Sequence, residues 1–264
     1  MKQFLLPHPD DAHGVVRLTG ADYRYLARVR RLREGDVFTA RLPDGTETRA
    51  LVQAVSGDAI VCECLAPVER MASSHLPPVL LFQSLPKGAK IDQIVRQAAE
   101  SGVAEIIPFV SAYTVPKLKG AEETAGKINR WKRIVKEARQ QSGSVVETRV
   151  KEACTVDAVF SYWETVGKRY KNPAGILLHQ EPFTASGSFH RCLAGNPDCV
   201  AAVVGPEGGF SPEEAERFVR AGFKPLVIGA NVLRAETAAV YAVAAIRILL
   251  LESAEWMLKT PQGR

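Results

Sequence analysis

Cysteine is scarce in this 264-residue chain, and its arrangement suits no structural chemistry. Cys62, Cys64, Cys154, Cys192 and Cys199 are odd in number, form no Cys-x-x-Cys pair and have no histidine beside them at ligand spacing. That argues against a zinc site and against a disulfide framework. Long apolar runs are missing too. The longest, from Ala238 to Leu251, falls short of the roughly 20 residues that cross a bilayer and is interrupted by Arg247, so it reads as a buried helix. The apolar run at the start is too short for a signal peptide and soon meets Asp10. A cytoplasmic protein with neither membrane nor metal partner is expected.

What is present is a globular composition: 46% hydrophobic and 24% charged residues exclude a disordered chain or a collagen-like repeat. The net charge of +5 is too small to name a partner, because attraction to a polyanion depends on where charges cluster. Up to about residue 70 the pattern predicts strands over 15–18, 36–40, 48–52 and 59–64. Asp44-Gly45 and Gly57-Asp58 supply turns between them. A small β-barrel or curled sheet follows. Within it, the spacing of Tyr25, Leu26, Val29 and Leu32 predicts a helix over 21–33. Arg24, Arg28, Arg30, Arg31 and Arg33 surround those apolar residues, although acids and bases balance over this region as a whole. The cluster is either a solvated helix face or a surface for RNA phosphates, which guanidinium groups fork onto bidentately.

Beyond the proline-bearing bridge at 66–78 the text changes to strand–helix alternation, which places a domain boundary near residue 75. Strands are expected at 79–84, 103–109, 147–150, 175–179, 200–204 and 224–228. Helices are expected at 89–101, 122–141, 156–169, 213–221 and 236–253, with a weaker one near 189–193. Continuous apolar strands such as Val200-Ala201-Ala202-Val203-Val204 imply a mostly parallel sheet covered on both faces. In such sheets ligands bind beyond the carboxyl ends of the strands.

Two loops in those positions are dense in chemistry. Gly205-Pro206-Glu207-Gly208-Gly209-Phe210 leads into Ser211-Pro212-Glu213-Glu214, a helix start with Ser211 as N-cap and Glu214 closing a capping box. Its glycines match neither a dinucleotide nor a P-loop fingerprint, and its acid would repel phosphate. Gly229-Ala230-Asn231-Val232-Leu233-Arg234-Ala235-Glu236-Thr237-Ala238 feeds the next helix, and its Arg–Glu pair reads equally as a capping ion pair or as part of a site. Two consecutive loops of this kind suggest one pocket. On the helix 122–141, Lys132, Lys136 and Arg139 share a stripe that is either solvated or open to RNA phosphate. His8 and His13 read as surface residues.

Gly205-Pro206-Glu207-Gly208-Gly209 and Leu233-Arg234-Ala235-Glu236-Thr237-Ala238, with Gln97 to Val103 and then Pro108, resemble the motifs of the RsmE family of 16S ribosomal RNA uracil-N3 methyltransferases. The likeness covers nearly the whole chain, including 176–181 and 131–143, and Tyr25 to Asp36 resembles the family's PUA-like RNA-binding domain. It implies an α/β SPOUT methyltransferase domain over 76–260 with a C-terminal trefoil knot, after a PUA-like β-barrel over 1–72. It also implies a homodimer, S-adenosylmethionine as cofactor and the 16S rRNA of the small ribosomal subunit as substrate. By the family pattern the cofactor pocket falls to Leu178, His179, Gly205, Glu207, Gly208, Gly209, Ile228, Gly229, Leu233 and Thr237. Methylation at uracil N3 requires loss of a proton, so a cation beside the base would help. Arg234 is the first candidate, with Glu236 to orient it or Glu100 as a base. The chain departs from the family pattern at Ala112-Tyr113-Thr114, Ser144 and Asn231, where the family shows acidic or basic residues, and at Ser101. Two rival readings are a non-catalytic RNA-binding protein that keeps the fold and a SPOUT methyltransferase acting on another RNA.

Overall fold

The computed structural model describes residues 4–7, 9, 14–42, 45–67, 76–117, 121–179, 189–229 and 231–253. His8, His13, Asp44, Gln180, Glu181 and most of the bridge at 66–78 lie outside the described residues. The chain divides into two compact units, one of 1–73 with 136–147, the other of 74–135 with 148–264.

The first unit holds β1 (Phe4–Leu5), β2 (Val15–Thr19), helix α1 (Gly20–Tyr23), β3 (Val37–Arg41), β4 (Glu47–Val55) and β5 (Ala59–Pro67). Its strands form one sheet in the order β1-β3-β4-β5-β2, with β1 and β2 at the edges among the described residues. Register shifts between Thr48 and Ala50 and between Val52 and Ala54 interrupt the β4–β5 ladder, the kind of irregularity that curls a sheet. The alternating apolar positions Val16, Leu18, Phe38, Ala40, Ala50, Val52, Ile60 and Cys62 meet Phe4 and Leu26 in one buried core. The expected helix over 21–33 is only partly formed. α1 passes into a wider π-turn over Arg24–Val29, with the Arg30 amide bonded to the Tyr25 carbonyl at 2.8 Å, and Arg31 then takes a positive φ of 57°. Leu32 thereby packs against the core, and Arg30, Arg31 and Arg33 sit on a loop instead of a helix.

The second unit runs β6 (Val79–Ser84), α2 (Lys90–Glu100), β7 (Glu105–Val110), α3 (Ala121–Ser142), β8 (Arg149–Val150), β9 (Cys154–Thr155), α4 (Val156–Arg169), β10 (Pro173–Leu178), α5 (Phe189–Leu193), β11 (Cys199–Val204), α6 (Pro212–Arg220), β12 (Phe223–Leu226) and α7 (Ala235–Ser253). All strand pairs are parallel, in the order β12-β10-β11-β6-β7-β8, with the unanticipated β9 beside β7. Every residue of β6 and β11 is buried, as an apolar strand covered on both faces must be. Phe82, Phe109, Phe210, Phe218 and Phe223 fill one face together with α4 and α6, while α2 and α7 cover the other. The cut between 73 and 74 lies close to the one composition suggests, and from Lys136 onward α3 also belongs to the first unit.

Arg41 and Glu47 face each other across β3 and β4, both nearly inaccessible at 2% and 7%, with 3.1 Å between guanidinium and carboxylate. Removing one partner takes from the other buried charge its counter-ion across the strands. Glu47→Ala should therefore cost about 3–5 kcal/mol in urea unfolding, while Arg41→Met with Glu47→Leu costs much less. A single-variant loss below about 1 kcal/mol would show that water solvates the pair.

Candidate active site

Because every strand is parallel, the loops after β7, β10, β11 and β12 leave the same edge of the sheet. They enclose a cavity of about 470 Å³, the size range of a small-molecule site. After β10, Leu178 and His179 enter its wall, and the His179 amide extends the ladder by donating to the Leu226 carbonyl at 3.1 Å. After β11 comes the glycine loop, closed by the Gly209 amide on the Pro206 carbonyl at 3.0 Å. After β12, Val227, Ile228 and Gly229 continue the wall and Asn231 to Leu233 complete it. Most of this surface is backbone and aliphatic side chain. Gly205 is tightly surrounded: a Cβ there would stand 3.2 Å from the Gly209 backbone and 3.3 Å from the Phe210 ring.

Next to the cavity a charged cluster ties the two motif loops together. Lys90, the first residue of α2, places its ammonium 2.6 Å from the Glu207 carboxylate and 3.8 Å from that of Glu236 at the start of α7. Glu207 also accepts the Lys87 amide at 3.2 Å. Partial desolvation opposes the Glu207 charge, but the hydrogen bonds from Lys90 and from backbone amides, with the Lys90 charge, outweigh it and hold the carboxyl below its usual range. In return, the bond to Glu207 raises Lys90 against desolvation. Glu236 is largely enclosed, and its Oε2 has no hydrogen bond.

The loop after β7 is pinned on both sides of Tyr113. The capping-box acid Glu214, buried at the start of α6, accepts the Ala112 amide at 2.8 Å as well as the Ser211 amide at 3.2 Å. Thr114 joins Ser84 and Ser111 in a triangle of hydroxyls 2.7–3.0 Å apart. Between those anchors Tyr113 reaches the cavity, its Cβ only 3.1 Å from where a Gly208 Cβ would be.

Residues 73–247 match a family profile described as an RNA methyltransferase domain, and 18–64 match an RNA methyltransferase PUA domain. The ribosomal RNA small subunit methyltransferase E of Bacillus subtilis is 30% identical over 87% of this chain and 88% of its own. The chain belongs to the ribosomal RNA small subunit methyltransferase E family. Among solved structures, the family member from Neisseria gonorrhoeae bound to S-adenosyl methionine is 25% identical and superposes with a TM-score of 0.77, covering 94% of this chain and 98% of its own. A putative methyltransferase from Legionella pneumophila in complex with the bound cofactor SAM gives a TM-score of 0.78 at 25% identity, over 96% and 98% of the two chains.

Of the residues that the methyltransferase resemblance assigns to the cofactor, Leu178, His179, Gly205, Gly208, Gly209, Ile228, Gly229 and Leu233 line the cavity. Glu207 and Thr237 do not: the Glu207 carboxylate is taken up by Lys90 and Lys87, and Thr237 sits half-buried in α7 between Ala235 and Ala238, which do. Arg234 is exposed beside the cluster, close enough for its charge to act on Lys90. Glu100 is not brought near. It is exposed at the far end of α2 from Lys90, ten residues or about 15 Å along the axis.

The candidate RNA residues divide in the same way. Arg24, Arg28, Arg30, Arg31, Arg33 and Lys132 are exposed. Lys136 is paired with Asp22 at 2.8 Å, and Arg139 is buried, its guanidinium desolvated near Glu147 and Arg41. The stripe on α3 thus becomes packed surface from Lys136 onward, and Arg139 is no phosphate ligand. Lys90 and Tyr113 went unanticipated. Lys90 precedes a regular apolar pattern that gives no sign of its partners, whereas the absence of a family charge at 112–114 did mark Tyr113's neighbourhood.

The depressed Glu207 carboxyl favours folding above its ordinary value of 4.5, and that contribution is lost as pH falls through the lower folded value. Melting temperature should therefore fall more steeply between about pH 5 and about pH 3 in the parent protein than in Glu207→Gln. Parallel profiles would show that the Lys90 bond contributes nothing to folding.

Proposed function

We propose that this chain transfers the methyl group of S-adenosylmethionine to N3 of a uridine in the decoding region of 16S rRNA. It works in the cytoplasm as a homodimer whose C-terminal segment is threaded as a trefoil knot. The observation that carries the reading is the cavity itself, formed where three adjacent parallel strands deliver their loops. Its aliphatic and backbone wall suits a purine, its glycines let backbone close around a ligand, and its volume suits a cofactor of this size. When bound, the cofactor supplies a methyl group activated by its sulfonium.

The remaining chemistry falls to side chains. Arg234, exposed next to the cavity loops, provides the cation that stabilises the uracil anion left when the N3 proton passes to water. Lys90 holds Glu207 and Glu236 in register, keeping both loops in place before RNA arrives. The arginine cluster of the first unit binds phosphate, positioning RNA without reading its sequence.

Labelled S-adenosylmethionine and small subunits from a strain lacking the modification test this. Label should appear on a single uridine, and Arg234→Ala should reduce transfer at least a hundredfold, on the scale of losing one electrostatic donor. No transfer combined with no calorimetric cofactor binding favours the non-catalytic RNA-binding reading, and a labelled nucleotide outside 16S rRNA assigns a different substrate. Replacing Arg28, Arg30 and Arg31 with Ala should weaken RNA binding and lower the slope of log affinity against log salt by about 2–3, leaving cofactor affinity alone. An unchanged slope would make the cluster a solvated face.

A further inference from the structure

Tyr113 combines two properties that rarely meet by accident in a folded loop. Its backbone is held rigidly on either side, by Glu214 on the Ala112 amide and by the Ser84–Ser111–Thr114 hydroxyls, yet its side chain is 50% exposed. Ordering a turn this firmly around an aromatic left half in water does nothing for the core. Of the aromatic residues that line the cavity, the other described one, Phe210, is buried and stacked on Phe109 at 6.3 Å. Tyr113 instead lies against Gly208 at the mouth, where the missing Cβ makes room for it, with one part on the cavity and the rest facing solvent.

We propose that the Tyr113 ring is the platform on which the target uracil stacks when it enters the cavity mouth. The inference rests on the functional reading above and deepens it. A base that receives a methyl group at N3 must leave its pair or stack, since the Watson–Crick edge is otherwise occupied, and a protein aromatic replaces part of the lost stacking. The half-exposed position distinguishes substrate from cofactor: a small cofactor is enclosed over most of its surface, whereas a nucleotide that remains part of an RNA covers the rim of the site from outside. Stacking is also tolerant of what surrounds it. It needs a flat face, not a charge, which suits a mouth lined here by the uncharged Tyr113 and Asn231.

The test compares the parent chain with Tyr113→Phe, Tyr113→Leu and Tyr113→Ala, using unmodified small subunits and measuring kcat and KM for RNA together with calorimetric affinity for S-adenosylmethionine. Loss of the ring should lower kcat/KM for RNA about tenfold or more in both Leu and Ala variants, the scale of one base–aromatic stack. Tyr113→Phe should stay within about threefold, and cofactor affinity should stay within about twofold throughout, which also reports that the variants are folded. Retention of full kcat/KM by Tyr113→Ala overturns the proposal, as does an equal loss by Tyr113→Phe, which would assign the effect to the hydroxyl. A parallel loss of cofactor affinity would give the ring to the cofactor instead. If the parent itself transfers no methyl group, the functional reading fails and the stacking proposal falls with it; if the parent transfers and Tyr113→Ala matches it, only the stacking proposal falls.

Discussion

The constraint on which the site depends is the burial of β6 and β11 on both faces. A strand with helices above and below must be joined to its neighbours by crossovers, so the neighbours run parallel and every strand-to-helix loop emerges at one edge. The cavity is a direct result. It needs no strand to bend toward a ligand, because β10, β11 and β12 already end side by side, and the loops that follow have only to stay small enough to leave a space between them.

Two carboxylates then link elements that the sheet alone would leave independent. Glu214 caps its own helix and at the same time holds the loop after β7, so the geometry of Tyr113 is set by a residue about a hundred positions away. Glu207 does the equivalent between the glycine loop and α2. Glu214 is taken up by backbone amides, and Glu207 by Lys90 and the Lys87 amide. Each converts a flexible connection into a rigid wall, which is what a site that must orient both a cofactor and a base requires. A charged residue close to a cavity can thus serve the wall itself, as Glu207 does through Lys90.

Much of the architecture was legible in sequence. The apolar runs at 79–84 and 200–204 appear as β6 and β11 with little or no displacement, and Ser211-Pro212-Glu213-Glu214 forms the capping box its residue types promise. These are local regularities, set by side-chain periodicity and by hydrogen bonds spanning three residues. The misread segments are those where tertiary packing competes with local pattern. Residues 21–33 have helical spacing throughout, but burying Leu32 requires the chain to leave the helix at Arg30. The basic stripe on α3 has the right period for an exposed face, yet Arg139 is covered because the end of that helix joins the first unit.

Hydrophobic period, helix-start chemistry and paired motifs are all written in neighbouring residues, so the class of fold, the carboxyl-edge loops and the family are readable along the chain. Which motif residues face the cavity and which support it is set by long-range packing. Glu207 and Gly208 are adjacent in the chain, and one turns to Lys90 while the other faces Tyr113. That choice depends on partners more than ninety residues distant, and no local pattern encodes the direction in which a loop side chain points once the sheet has brought those partners together.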